Sequence, residues 1–140
     1  MKESETLEFK RSTGELKEAV ISICAILNKH QQGELYFGIR NNGEVIGQQI
    51  TDKTIRDVGK TVADHLEPKV FPKINQVIME GKPCIHVEFS GDDIPYFAYG
   101  RCFIRVGDED RQISPPELRK LLQKKNEILW EKGISSRAIN

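Results

Sequence analysis

Apolar and polar positions alternate from Thr6 to Lys10, with Leu7 and Phe9 on one side and Glu8 and Lys10 on the other, and a period of two predicts a half-buried strand. Ser12-Thr13-Gly14 breaks the alternation. Leu16, Val20, Ile23 and Leu27 then recur at helical spacing, widened by Ala19 and Ile26, which predicts a largely buried helix over about 14–29 capped by Ser12 or Thr13. Glu34 to Arg40 is rich in aromatic and β-branched residues; with the turn Asn41-Asn42-Gly43 and the segment Glu44 to Gly47 it predicts a hairpin. Ile55, Val58, Val62 and Leu66 behind Thr51 and Asp52 predict a second helix that ends before Pro68.

Lys73 to Met79 and Cys84 to Phe89 flank the turn Glu80-Gly81-Lys82 and predict another hairpin, with Ile85, Val87 and Phe89 facing inward. After a loop marked by Gly91-Asp92-Asp93 and Pro95, Gly100 to Val106 predicts a strand. Cys102, Ile104 and Val106 lie on one of its sides and Arg101, Phe103 and Arg105 on the other. Ser114-Pro115-Pro116-Glu117 opens a last helix with a Ser cap, an early proline and a Glu placed to close a capping box. Leu118, Leu121, Leu122, Ile128 and Leu129 form its apolar stripe, and Gly133 is its stop signal. This order of elements predicts an α+β domain: a mixed β-sheet built from hairpins, with about three packing helices.

The length of 140 residues suits one domain, with residues 1–130 as its body and 131–140 as a linker or tail. A 38% hydrophobic and 30% charged composition excludes a disordered chain, and no apolar run approaches the ~20 residues of a membrane span. With no signal-peptide pattern at Met1 to Glu5, the expectation is a cytoplasmic protein without membrane contact. Cys24, Cys84 and Cys102 read as reduced core thiols, and His30, His65 and His86 form neither HExxH nor a Cys/His pairing, so spacing gives a structural zinc site no support.

Basic and acidic residues balance at 21 each, so net charge selects no partner, but residues 111–140 carry seven Lys or Arg against three Glu. A basic end on an acidic body steers toward phosphate or is simply a solvated helix face. Gly33 and Gly38 are spaced as in a Walker A loop, yet Ile39-Arg40 stands where such a loop needs Lys and Ser or Thr, which argues against ATP hydrolysis by this route. Glu3, Glu5 and Glu8 cluster near the N-terminus, and Glu8-Phe9-Lys10 places a carboxylate and a lysine on one strand face. Metal-dependent nucleases use that arrangement; an exposed face of alternating charge has it too. Arg101, Phe103 and Arg105 offer two guanidinium forks flanking a ring, suited to phosphate and a stacked base, unless the C-terminal helix covers them.

Taken together, Glu3-Ser4 with Leu7-Glu8-Phe9-Lys10, Asn28 with Gly33 to Ile39, Gly43 to Gly47, and Cys102 to Gly107 with Ser114 to Leu118 resemble the Schlafen AlbA-type domain, once described as a divergent AAA domain. The resemblance spans nearly the whole chain to about residue 125. It implies an α+β, nucleic-acid-associated domain of bacterial transcriptional regulators or Schlafen-like proteins. Such a domain is often followed by a winged helix for which this chain is too short, and Ile134 to Ala138 would begin the linker. In nuclease-active Schlafens two glutamates and an aspartate hold a metal. Glu3 and Glu8 match the first two, while the third position falls in Arg40-Asn41-Asn42, which has no carboxylate. Glu44 substitutes only if the turn brings it round, and Glu3 and Glu8, an odd number of residues apart, converge only if Glu3 lies on a bend.

The leading expectation is a module that binds DNA or RNA through phosphate contacts from Lys10, Arg11, Arg101, Arg105, Lys120, Lys124 and Lys125, with Phe103 stacking, and that needs no cofactor. One alternative is a nuclease with Glu3, Glu8 and Lys10 as catalytic residues and Mg²⁺ or Mn²⁺ on Glu3 and Glu8. The other is an oligomerisation or interaction domain, such as a homodimer, packing through the C-terminal helix and Trp130.

Overall fold

The computed structural model describes residues 1–133, and the expected linker at Ile134 to Ala138 lies outside them. The architecture is α+β. Strand β1 (Leu7–Lys10) leads through a short 3-10 turn into helix α1 (Leu16–His30), and β2 (Gln32–Phe37) returns parallel to β1. Helix α2 (Asp52–His65) and the two-residue β3 (Leu66–Glu67) precede the hairpin of β4 (Lys73–Met79) and β5 (Lys82–Ser90). Strand β5 also pairs antiparallel with β2, giving a mixed sheet in the order β1-β2-β5-β4. A short β6 (Phe97–Ala98) pairs with β3, and β7 (Phe103–Val106) with β8 (Glu109–Gln112) forms a separate hairpin before α3 (Pro115–Glu131).

The core lies between the sheet and the helices. Ala19, Val20, Ile23, Cys24, Ile26 and Leu27 of α1 meet Leu35 and Phe37 of β2, Ile85, Val87 and Phe89 of β5, and Val58 and Val62 of α2. Each fully buried aliphatic or aromatic side chain of this set contributes about 1.5–3 kcal/mol. Gly33 allows α1 to sit this close: a Cβ there would fall 2.6 Å from Ile26 Cγ2 and 2.9 Å from Phe89 Cζ. A smaller cluster of Phe9, Ile39, Val45 and Cys84 covers part of the opposite sheet face.

Two of the three expected helix caps form, while Ser12 caps the short 3-10 turn, accepting from the Gly14 amide, and α1 itself starts from Glu15 without a side-chain cap. The Thr51 side chain accepts from the Thr54 amide at the start of α2, and Ser114 and Glu117 close a capping box on α3. Two strand expectations need correction. The predicted 34–47 hairpin is reduced to a single bridge, Ile39 to Val45, because Gly38 at φ +103 turns the chain out of β2 and the sheet neighbours of β2 are β1 and β5. The strand expected from Gly100 begins at Phe103, leaving Arg101 in a turn closed by the Ala98 and Arg101 backbones. Its partner β8 went unpredicted. Among the described residues no helix is long and apolar enough to cross a membrane.

Candidate functional site

Arg105 stands at the centre of a buried ionic network. The β7-β8 register sets it opposite Asp110, and its side chain is fully enclosed. Nη1 donates to Asp110 Oδ1 at 2.7 Å; Nη2 donates to Glu8 Oε1 at 2.7 Å and to the Ser4 carbonyl at 2.8 Å. Asp110 in turn accepts from Ser22 Oγ of α1 at 2.5 Å. One guanidinium therefore ties the N-terminal segment, β1 and the β7-β8 hairpin together, while Asp110 adds α1. Burial alone would lower its pKa, but Asp110 and Glu8 outweigh that and raise it, so the group is a permanent cation. The expectation that Arg105 contacts phosphate is thereby corrected: its fork is already occupied by two carboxylates and a carbonyl, with no surface to present.

Glu3 and Glu8 do converge. The Ser4 amide donates to the Leu7 carbonyl and the Thr6 amide to Ser4 Oγ, so the chain bends before β1 and the odd spacing no longer separates them. Glu3 accepts the Phe9 amide at 3.0 Å through Oε2, and its carboxyl lies beside that of Glu8. Burial, with the Glu8 carboxylate beside it, pushes the Glu3 pKa up to about 7, against the opposing pull of the Phe9 amide and Arg105. Glu8 is itself buried, contrary to a strand with a charged outer face, and its second oxygen pairs with Lys10 Nζ at 3.0 Å.

This donor set does not fit the divalent ion that the nuclease alternative places on Glu3 and Glu8. Both oxygens of Glu8 are already neutralised by resident cations, and a metal would have to displace Arg105 or Lys10. The turn at Arg40 to Glu44 does reach the N-terminus, since Gly43 lies against the Met1 carbonyl. It brings no third carboxylate, because Glu44 pairs with Arg40 at 3.4 Å and Asn42 Oδ1 accepts the Glu44 amide. Lys10 is correspondingly an internal partner of Glu8 rather than a free phosphate ligand.

Because the folded state holds the Glu3 proton to a higher pH than the unfolded chain does, stability should fall as pH rises from about 4.5 to about 7 and then level off. Glu3→Gln should flatten that slope and leave the variant more stable than wild type above pH 7. Urea denaturation midpoints at pH 5 and pH 8 measure the difference; identical slopes in both proteins would refute it.

The remaining expected contacts divide by exposure. Arg101 and Lys120 are exposed, with no acidic group in ion-pair contact among the described residues. Arg11 is exposed but spans to Glu15 at 3.5 Å, and Lys125 pairs with Asp93 at 3.0 Å. Lys124 donates to the Lys29 carbonyl, and burial lowers its pKa. Phe103 packs partly against the core and its carbonyl accepts from Asn28, so its ring is not a free stacking platform. Sequence reasoning missed Asp110 and Ser22. Gly107-Asp108 between Val106 and Glu109 was the available signal, since a two-residue turn of that kind sets Asp110 opposite Arg105.

A parallel β1-α1-β2 unit extended by an antiparallel hairpin, with an arginine clamped between β1 and a second hairpin, defines a class of small α+β domain. The chain belongs to the Schlafen, AlbA_2 family, which it matches over residues 3–114. Among solved structures it resembles the DIP2311 protein from Corynebacterium diphtheriae, with a TM-score of 0.69 at 16% identity over 86% of this chain. The chain spans only 24% of that protein's length. It also resembles the N-terminal domain of a RecG-related protein from Nitrosomonas europaea, with a TM-score of 0.59 and 20% identity, covering 81% of this chain and 86% of that one. No curated protein sequence matches it.

Proposed function

We propose that the chain is a nucleic-acid-binding domain of a larger regulatory protein, gripping the phosphate backbone of DNA or RNA without reading bases. The observation that carries this reading is the pair of exposed cations, Arg101 and Lys120, that have no acidic partner in contact among the described residues. The Cys102 carbonyl next to Arg101 accepts the Ile113 amide, which connects the Arg101 turn to the start of the basic helix α3. Arg11 and Lys125 add cations whose exposed ion pairs are worth only about 0–1 kcal/mol and exchange readily for phosphate. The similarity to the N-terminal domain of a protein described as a RecG-related DNA helicase is in keeping with this role.

With phosphate contacts from all four of these cations, affinity for a generic duplex oligonucleotide should fall roughly 150-fold between about 50 and 200 mM salt. The double variant Arg101→Ala/Lys120→Ala should lower the salt slope by about two, weaken all sequences equally and leave thermal stability unchanged. A fluorescence anisotropy titration across salt measures this. Binding that ignores salt, or is unchanged in the double variant, would refute the proposal.

A further inference from the structure

The face of the sheet turned away from α1 carries a second polar cluster that the nucleic-acid reading does not use. The β2-β5 register sets Glu34 directly opposite Glu88, and His86 lies two residues along on the same face. Opposed like charges at this cross-strand spacing repel. Among the described residues neither glutamate is in ion-pair contact with a lysine or arginine; both are answered only by His86, whose Nε2 is 2.8 Å from Glu34 Oε1 and whose Nδ1 is 3.7 Å from Glu88 Oε1. Lys73, the β4 neighbour of Glu88, makes no ion pair with it.

The imidazole is held before any ligand arrives. It stacks on Tyr36 at 4.6 Å between ring centres and 26° between planes, and little of it is exposed. One ligand atom from each of the three residues lies within 4.8 Å of the others, so that only small side-chain rotations bring them around one ion. Glu34 and Glu88 also line a groove of about 610 Å³ bordered by Lys73 and the exposed Phe71.

We propose that Glu34, His86 and Glu88 form a divalent-metal site for a zinc-class ion, with one imidazole nitrogen and two carboxylate oxygens as ligands and the remaining position left to water or to an oxygen donor in the groove. An imidazole beside carboxylates favours a borderline ion such as Zn²⁺ over Mg²⁺ or Ca²⁺, which prefer all-oxygen shells. The cation also relieves the repulsion between the two acids. No spacing motif announces this site, because the ligands are assembled by strand register from positions 52 residues apart.

Isothermal titration of the full chain with Zn²⁺ should give one saturable site, and Mg²⁺ should not compete for it. Outer partners of metal ligands alone are worth about 10–100-fold in affinity, so Glu34→Gln, Glu88→Gln and His86→Ala should each weaken binding by at least about tenfold. Both glutamates are exposed, so their variants keep the fold, which circular dichroism checks. With Co²⁺ in place of Zn²⁺ the visible spectrum should show nitrogen and oxygen coordination without a thiolate charge-transfer band. Saturation unaffected by Glu34→Gln and Glu88→Gln, a thiolate band, or failure to saturate would each overturn the assignment.

Discussion

Arg105→Ala should destabilise the domain by about 3–5 kcal/mol, the range for removing one partner of a buried ion pair. At this chain length that corresponds to a drop of roughly 10–15 °C in Tm. The substitution leaves the buried Glu8 and the partly buried Asp110 without their shared cation, and frees the Ser4 carbonyl that fastens the N-terminal segment. Arg105→Lys should recover only part of the loss, because one ammonium cannot reach acceptors on both the N-terminal segment and the β7-β8 hairpin. Once folded, Arg105→Lys should bind oligonucleotide as wild type does, since the guanidinium never meets solvent. Denaturant melts of the three proteins, followed by anisotropy on the lysine variant, test both halves. A near-native midpoint for Arg105→Ala would sink the structural role, and a selective binding defect in Arg105→Lys would restore the phosphate-contacting one.

That arginine also marks how far the sequence could be read. The spacing of Val20, Ile23 and Leu27 identifies α1 because a helix needs only local periodicity to declare its buried face, and the Ser114 box declares its cap in four residues. Alternation in β7 correctly groups Phe103 with Arg105, but it does not say which side of the strand is covered. What covers Arg105 is the chain at Ser4 to Glu8, about a hundred residues away, and Asp110 across a turn. The same limit applies to Glu3 and Glu8. Their convergence depends on a bend made by Ser4, which counting along an ideal strand does not register. Arg101 and Arg105 looked alike as cations on one strand face, and only the structure separates them, with Arg101 exposed in its turn and Arg105 enclosed. Glu34 and His86 were individually visible, and only the β2-β5 register joins them.

Asn28→Ala should be the other large loss, about 2–4 kcal/mol, and for a different physical reason. The side chain is fully buried at the end of α1 and functions as a backbone surrogate: Oδ1 accepts the Tyr96 amide at 2.7 Å, while Nδ2 donates to the Phe103 carbonyl at 2.7 Å and the Tyr96 carbonyl at 3.0 Å. Alanine would strand these main-chain groups in the interior, each at a cost of about 1–3 kcal/mol less whatever water or local rearrangement recovers. Asn28→Asp should be worse at neutral pH, because an acceptor-only carboxylate would face two carbonyl oxygens. It should regain stability as pH falls, since the protonated acid can donate to one of them and the folded state then binds the proton more tightly than the unfolded chain. Cysteine labelling gives an independent readout. Burial pushes the Cys24 thiol up to about 12 and the Cys102 thiol up to about 11, so both should resist modification in the native protein. They flank Asn28, and if it is the clasp between α1 and the Tyr96 and Phe103 segments, its loss should speed their labelling at denaturant concentrations that leave wild type inert. Equal labelling rates in wild type and Asn28→Ala would mean that the two segments are held by apolar packing alone.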